Sequence, residues 1–263
     1  MIIGGDKSDE NKLTHEPRFE QGSIDGEIVV FIHGYMGTPR QFDNLAGAVH
    51  LQGYSYKTLL LPGHGVTLKE FSESTHTAWQ EYVDSEIARI SERYSKIWLV
   101  GHSMGCLLSL NAAIKFPDKI CGIFAIACPL KIIYFSLLAY KVQIKKRFGG
   151  KNSIIKSAYV KFSSVPQPIS LIWRIIKPNF EFLKIQHKTK KILGQVKTPI
   201  TGIFSKKDEV VSMKSLKLLQ SELRNSDFKS VLLYESLHAY YPKHEQAVIE
   251  QALLGFIAGN EHP

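Results

Sequence analysis

Cysteine is scarce in this chain, with three in 263 residues and no C-x-x-C pair among them. That excludes a small disulfide-stapled secreted scaffold and fits buried structural thiols in a reducing compartment, so a cytoplasmic protein is expected. The first 25 residues lack the apolar core of a signal peptide and instead carry Asp6, Asp9, Glu10 and Glu16, so export by that route is not expected. A long hydrophobic run is missing too. The most apolar stretch, 120–140, is interrupted by Pro129 and Lys131 and reads as a strand followed by a helix. No histidine or cysteine spacing has the form of a metal site, and neither metal nor cofactor is expected. Acid is almost absent from residues 131–197. Glu181 stands alone there against fifteen Lys and Arg, while the rest of the chain has eighteen basic and twenty-three acidic residues, so one segment carries the whole excess of the +9 net charge.

The remaining composition, 44% hydrophobic and 22% charged, is that of an ordinary globular protein, and the length suits one large α/β domain better than two small ones. Glu27 to Ile32 is a short β-branched run suited to a parallel strand covered on both faces. Phe42, Leu45, Ala46 and Val49 then recur at helical spacing up to Gly53, and a second strand runs from Tyr54 to Leu60. A helix from about His76 to Tyr94, a strand from Lys96 to Val100, a helix from Cys106 and a strand from Ile120 to Cys128 continue the rhythm. At Pro129 it stops. Residues 131–195 show helical spacing in places and no convincing strand. The alternation resumes with a strand at 199–204, a helix from about Met213 to Leu223, a strand from Lys229 to Tyr234 and a last helix bearing Ile249, Leu253, Phe256 and Ile257. Strand, helix, strand alternation predicts a doubly wound, mostly parallel sheet. The expected organisation is a polar tail at 1–26, a core at 27–130 and 196–263, and a basic helical insertion at 131–195.

Gly101-His102-Ser103-Met104-Gly105 falls between a predicted strand and a predicted helix, the context in which a G-x-S-x-G match has chemical meaning. Glycines two before and two after the serine let the backbone turn sharply, and the helix behind it offers N–H groups to a developing anion. A serine needs a base, and the base needs an acid to orient it. Asp208 and His238 each follow a predicted strand, and loops at the carboxyl ends of parallel strands share one edge of the sheet. Glu209, next in line, is a second candidate for the acid. His33, His64 and His102 read as residues that order turns, Cys106 as core, and His76 and Trp79 as the start and packing of a helix.

His33-Gly34-Tyr35-Met36-Gly37, Leu61-Pro62-Gly63-His64-Gly65, the Ser103 pentapeptide, Asp208 with Val210-Val211, and His238 fall in order and span about 28–256. In these the chain resembles an α/β-hydrolase of the compact bacterial carboxylesterase and monoacylglycerol lipase type. The resemblance implies that fold, with a helical cap inserted after the third βα unit, where 131–195 lies. It implies Ser103 as nucleophile, His238 as base and later acid, and Asp208 as the residue orienting it. It also implies an oxyanion hole from the backbone N–H groups of Tyr35 and Met104. The substrate it implies is a small-molecule ester, a short to medium acyl ester or a monoacylglycerol, lined by Tyr35, Ile132, Phe135 and Leu138. Two departures stand out: Phe204-Ser205-Lys206-Lys207 precedes the acid, and Ser236-Leu237 precedes the histidine, where the family often has glycine. Thioester or carbon–carbon bond hydrolysis remains open, because fold and triad do not fix the leaving group. The basic segment reads either as a solvated helix face or as a contact for anionic lipid, and the rival reading of the whole chain is a non-catalytic hydrolase scaffold that binds anionic lipid through it. It has no nucleic-acid fold signature, so no nucleic-acid partner is expected.

Overall fold

Six of the runs read as strands form one sheet in the computed structural model, which describes residues 15–133 and 173–259. They are β2 (Glu27–Ile32), β3 (Ser55–Leu59), β4 (Lys96–His102), β5 (Ile120–Ile126), β6 (Ile200–Ser205) and β7 (Phe228–Leu233). A seventh, β1 (Phe19–Glu20), pairs antiparallel with β3; every other neighbouring pair is parallel, in the order β1-β3-β2-β4-β5-β6-β7. β1 falls inside the segment read as a polar tail, because two residues carry no periodicity. Tertiary contacts make it: the Tyr56 hydroxyl donates to Glu20 at 2.7 Å, and the Arg18 N–H donates to the Thr58 hydroxyl at 2.9 Å.

The helices around the sheet are α1 (Asp43–Leu51), α2 (Leu68–Glu73), α3 (His76–Ser91) and α4 (Met104–Lys115). They continue with α5 (Ile176–Ile192), α6 (Lys214–Glu222) and α7 (Lys243–Ile257). The short helix α2 had no predicted counterpart, although Thr67 and Glu70 spell a capping box. The Thr67 hydroxyl accepts from the Glu70 N–H at 3.3 Å, and the Glu70 carboxylate accepts from the Thr67 N–H at 3.0 Å.

The central strands are sealed on both faces, and Val29, Val30, Phe31, Ile97, Leu99 and Phe124 are fully buried. Each such side chain stabilises the fold by about 1.5–3 kcal/mol relative to exposure. β2 leads to β3 on one side, and the chain then crosses to β4 on the other, with Ile32 paired to Gly101. Loops leaving the carboxyl ends of β2 and β4 therefore diverge and leave a crevice, the usual position of a site in such a sheet.

α5 lies in the segment read as a helical insertion. It buries Pro178, Phe182, Ile185 and Thr189 and packs against α2, α3 and α4. Glu181, the one acid of the basic segment, is buried and receives the backbone N–H of His76 at 3.1 Å, the first residue of α3. Its other oxygen takes the Lys184 ammonium at 2.6 Å. Burial raises its pKa, but Lys184 and the ring and backbone N–H of His76 outweigh that and hold it down to about 2. The amide of Gln186 donates to the Pro129 carbonyl at 2.6 Å, and Asn111 of α4 donates to Thr189 at 2.7 Å. The helix thus starts near the carboxyl edge of the sheet and continues along α4. Among the described residues no helix is long and apolar enough to cross a membrane.

Candidate active site

Ser103 has φ +52° and ψ −116°, a strained conformation for a residue with a side chain, between the end of β4 and the start of α4. Its glycine neighbours are there for space. A Cβ on Gly105 would lie 1.9 Å from the Ile32 carbonyl oxygen, and one on Gly101 would lie 2.6 Å from the Cys106 nitrogen. α4 can therefore press its first turn against the end of β2. The Ser103 N–H continues the sheet ladder to the Ile126 carbonyl at 2.8 Å, and its hydroxyl turns toward His238.

His238 reaches that hydroxyl from the loop after β7, with Nε2 3.1 Å from Ser103 Oγ. Its Nδ1 lies 2.9 Å from Asp208 Oδ2, in the loop after β6. Three residues from three loops form one hydrogen-bonded line. Because a carboxylate can only accept, Nδ1 carries the proton and Nε2 is left to accept from the serine. Asp208 Oδ1 takes the N–H groups of Val210 and Val211, each at 2.8 Å. Burial pushes its pKa up, yet His238 and these two N–H groups outweigh that and hold it below the ordinary value. Glu209 faces elsewhere: its carboxylate accepts the backbone N–H of His238 at 3.0 Å. Asp208 is thus the carboxylate against the imidazole, and Glu209 anchors the main chain.

The two departures from glycine bind each other. The Ser205 hydroxyl donates to the Ser236 carbonyl at 2.6 Å. Glu245, in the first turn of α7, collects the N–H groups of Tyr234, Glu235 and Ser236 at 2.6, 3.0 and 2.7 Å, and also the Ser236 hydroxyl. Lys206, which follows Ser205, lays its ammonium 4.5 Å from the centre of the Tyr234 ring.

On the other side of the crevice, residues 33–37 turn tightly, with the Gly37 N–H on the Gly34 carbonyl at 2.9 Å. His33 and His64 are both buried and brace this turn. Nε2 of His33 accepts the Leu61 N–H at 3.0 Å, and Nε2 of His64 accepts the Met36 N–H at 3.1 Å. Burial drives the pKa of His64 down to about 4 and that of His33 well below its ordinary value, which keeps both neutral and able to accept. Met104 is the first residue of α4, where backbone N–H groups have no acceptor within the helix.

Tyr35 packs its ring among Phe71, Trp79 and Phe182, with centroids 5.2, 6.2 and 5.7 Å away, and its hydroxyl donates to Asn179 of α5 at 2.8 Å. Its side chain therefore ties the turn to the inserted helix. Ile132 pairs with Val211 in an isolated bridge, and the Ile133 N–H meets the Val210 carbonyl at 2.8 Å, so the start of the insertion is stitched to the acid's loop. Phe135 and Leu138, the other two side chains read as substrate-lining, lie outside the described residues. Gln41, Asn179, Glu181 and Glu245 had no signal in the sequence as parts of this site: Asn179 and Glu181 act on loops more than 100 residues away, and Gln41 and Glu245 brace loops 7 to 11 residues off through side chains that belong to no motif. Among the described residues no group of three or more His, Cys, Asp or Glu is arranged to hold a metal ion.

A sheet of this order, with a serine at a strained strand-to-helix turn and an acid and histidine following in the loops after β6 and β7, defines a class of hydrolase. The model of the alpha/beta hydrolase family matches residues 29–179, more than half of the chain, and the chain belongs to that family. Among curated proteins it is similar to the thermostable monoacylglycerol lipase of Bacillus sp. (strain H-257), 25% identical over 234 residues, covering 88% of this chain and 90% of the relative. Among solved structures it is similar to one from a study of two metagenome-derived lipolytic enzymes, LipS and LipT, with TM-score 0.73, 22% identity and coverage of 94% of this chain and 98% of that one. The monoacylglycerol lipase of Paleococcus ferrophilus gives TM-score 0.71 at 17% identity, covering 94% and 99%.

Proposed function

We propose that the protein is a serine hydrolase of carboxylic esters, a carboxylesterase or lipase-like enzyme working through an acyl-enzyme on Ser103. The hydrogen-bonded line from Ser103 through His238 to Asp208 is the observation that carries this reading. His238 Nε2 takes the hydroxyl proton as Ser103 Oγ attacks the ester carbonyl carbon. The oxyanion that forms is held by the N–H groups of Tyr35 and Met104, a contribution of about 3–4 kcal/mol for one such donor in related chemistry. Collapse breaks the bond to the leaving alcohol, which takes the proton from His238. A water then gives a proton to His238 and attacks the acyl carbon, and Ser103 leaves with that proton.

Esters of short to medium acyl chains and monoacylglycerols are the substrates proposed, and the similarity to a monoacylglycerol lipase supports the choice. Residues 131–195 are proposed as a cap over the acyl chain, with Tyr35 and Ile132 among the side chains lining it. A thioester is the second reading, favoured by a likeness in fold to a thioesterase domain of the curacin biosynthetic pathway, with TM-score 0.61. Anionic lipid is the proposed surface partner of the cap. Ile176 and Phe180 are exposed on α5 beside Lys177 and Lys184, an apolar and cationic face of the kind that lies in a lipid interface. The three unpaired thiols agree with a cytoplasmic setting.

A fluorophosphonate probe tests the core of the reading. Wild type is expected to be labelled and Ser103→Ala to remain unlabelled; equal labelling of both overturns it. An ester-length panel run beside acyl-CoA then separates ester from thioester preference.

A further inference from the structure

The Ser103 line uses the side chain of His238 and leaves open what holds its main chain. Both polar groups of that main chain are gripped. Glu209 takes the N–H at 3.0 Å, and on the other side the His238 carbonyl receives Nε2 of His102 at 2.9 Å and the Tyr241 hydroxyl at 3.1 Å. A carbonyl can only accept, so Nε2 of His102 carries its proton and Nδ1 is left as an acceptor. Facing Nδ1 at 3.5 Å is the amide nitrogen of Gln41, whose oxygen accepts the Gly34 N–H at 3.0 Å. Burial and the adjacent His238 ring, 5.0 Å away between centroids, push the pKa of His102 to about 3, so this donor and acceptor pattern persists at neutral pH.

Packing repeats the same connection. A Cβ on Gly34 would lie 3.0 Å from His102 Nδ1 and 3.0 Å from Ser103 Cβ, and one on Gly37 would lie 2.9 Å from the Gln41 amide oxygen. The turn at 33–37 rests directly on the pair His102 and Gln41.

We propose that His102 is a positioning residue for the reaction: it holds the main chain of His238 from beneath and, with Gln41, couples that histidine to the turn that presents the Tyr35 N–H. The two halves of the machinery, base and oxyanion donor, come from loops about 200 residues apart in sequence. Both lie against the buried side chain of His102, next to the nucleophile. The sequence reading of His102 as an orderer of its own turn is thereby extended to a contact 136 residues away. The proposal rests on Ser103 and His238 being nucleophile and base.

The test measures kcat and KM on p-nitrophenyl butyrate for His102→Phe, His102→Gln and Gln41→Leu, with near-UV circular dichroism to establish that each is folded. Phenylalanine keeps the ring and loses the donor, whereas the glutamine amide nitrogen reaches about as far as Nε2. His102→Phe is expected to lower kcat by about 10- to 100-fold with KM within about twofold, as a small misplacement of a catalytic group does. His102→Gln is expected to recover most of that loss, and Gln41→Leu to lower kcat by a few fold. Unchanged kcat in folded His102→Phe overturns the proposal, as does a loss in His102→Gln as large as in His102→Phe. If His102→Phe does not fold, the kcat of His102→Gln and Gln41→Leu decides: a loss in Gln41→Leu exceeding that in His102→Gln supports it, and wild-type kcat in Gln41→Leu overturns it. Failure of the underlying reading shows separately, as equal fluorophosphonate labelling of wild type and Ser103→Ala.

Discussion

Asp208 and Glu209 are adjacent carboxylates whose order in sequence says nothing about which meets the imidazole. The backbone of their loop turns Asp208 toward His238 Nδ1 and Glu209 toward the His238 N–H. Asp208→Asn is accordingly expected to lower kcat by about 10³- to 10⁴-fold, since an amide no longer holds the imidazole in its working tautomer. Glu209→Gln keeps an oxygen for the main-chain contact and is expected to lose about tenfold at most. Steady-state rates on one ester decide between them, and the reverse ranking would make Glu209 the acid. The buried histidines carry a second prediction at this scale. Folding lowers the pKa of His64 to about 4 and of His102 to about 3 from an ordinary 6.5. The unfolded chain therefore takes up protons that the folded chain refuses once the pH drops below about 6.5. Stability is full above that value and declines toward the folded values, by about 1.4 kcal/mol per pH unit for each group. Urea denaturation at pH 7.5, 6 and 5 should show the decline, and His64→Gln should flatten it; an identical slope in that variant would refute the assignment.

The elements were legible where their periods were long. The central strands are near-continuous apolar runs because both faces are covered, and α3 shows Trp79, Val83, Ile87 and Ile90 on one side. α2 and β1 were missed because six residues and two residues are too short for a period to emerge. α4 is more than a helix with an apolar face, because its approach to β2 sets where the Met104 N–H points. Gly105→Ala would place a carbon 1.9 Å from the Ile32 oxygen, so α4 must move. The expected result is a loss of about 1–3 kcal/mol, as overpacking costs, together with fluorophosphonate labelling slowed by more than the stability loss explains. For α5, Glu181→Gln removes the charge that joins it to α3 and to Lys184. A fall in stability of about 1.5–3 kcal/mol by urea denaturation is expected, the usual range for a hydrogen bond to a charged group.

Over the whole molecule the charge and the thiols are arranged by the fold. Cys106 and Cys128 are buried and Cys121 is partly exposed. Burial raises the pKa of Cys106 well above the ordinary thiol value, while its Sγ lies 3.2 Å from both the Gly101 and the Ile126 carbonyl oxygens, either of which can accept its one proton. A thiol reagent should therefore titrate about one group, Cys121, in the native protein and all three in denaturant. Fast native reaction of Cys106 would contradict the packing behind Ser103.

By itself the sequence determined the α/β alternation, the turn at Ser103 and the order in which serine, acid and histidine occur. Those properties are local: a strand needs its apolar run, a sharp turn its two glycines, and a loop residue only its place after a strand. What grips the main chain of His238, where the carboxylate of Glu209 goes and which donors Glu181 collects were decided by tertiary structure alone. Each depends on groups brought together across tens to hundreds of residues by burial, where a charge or an N–H must find a partner or destabilise the fold.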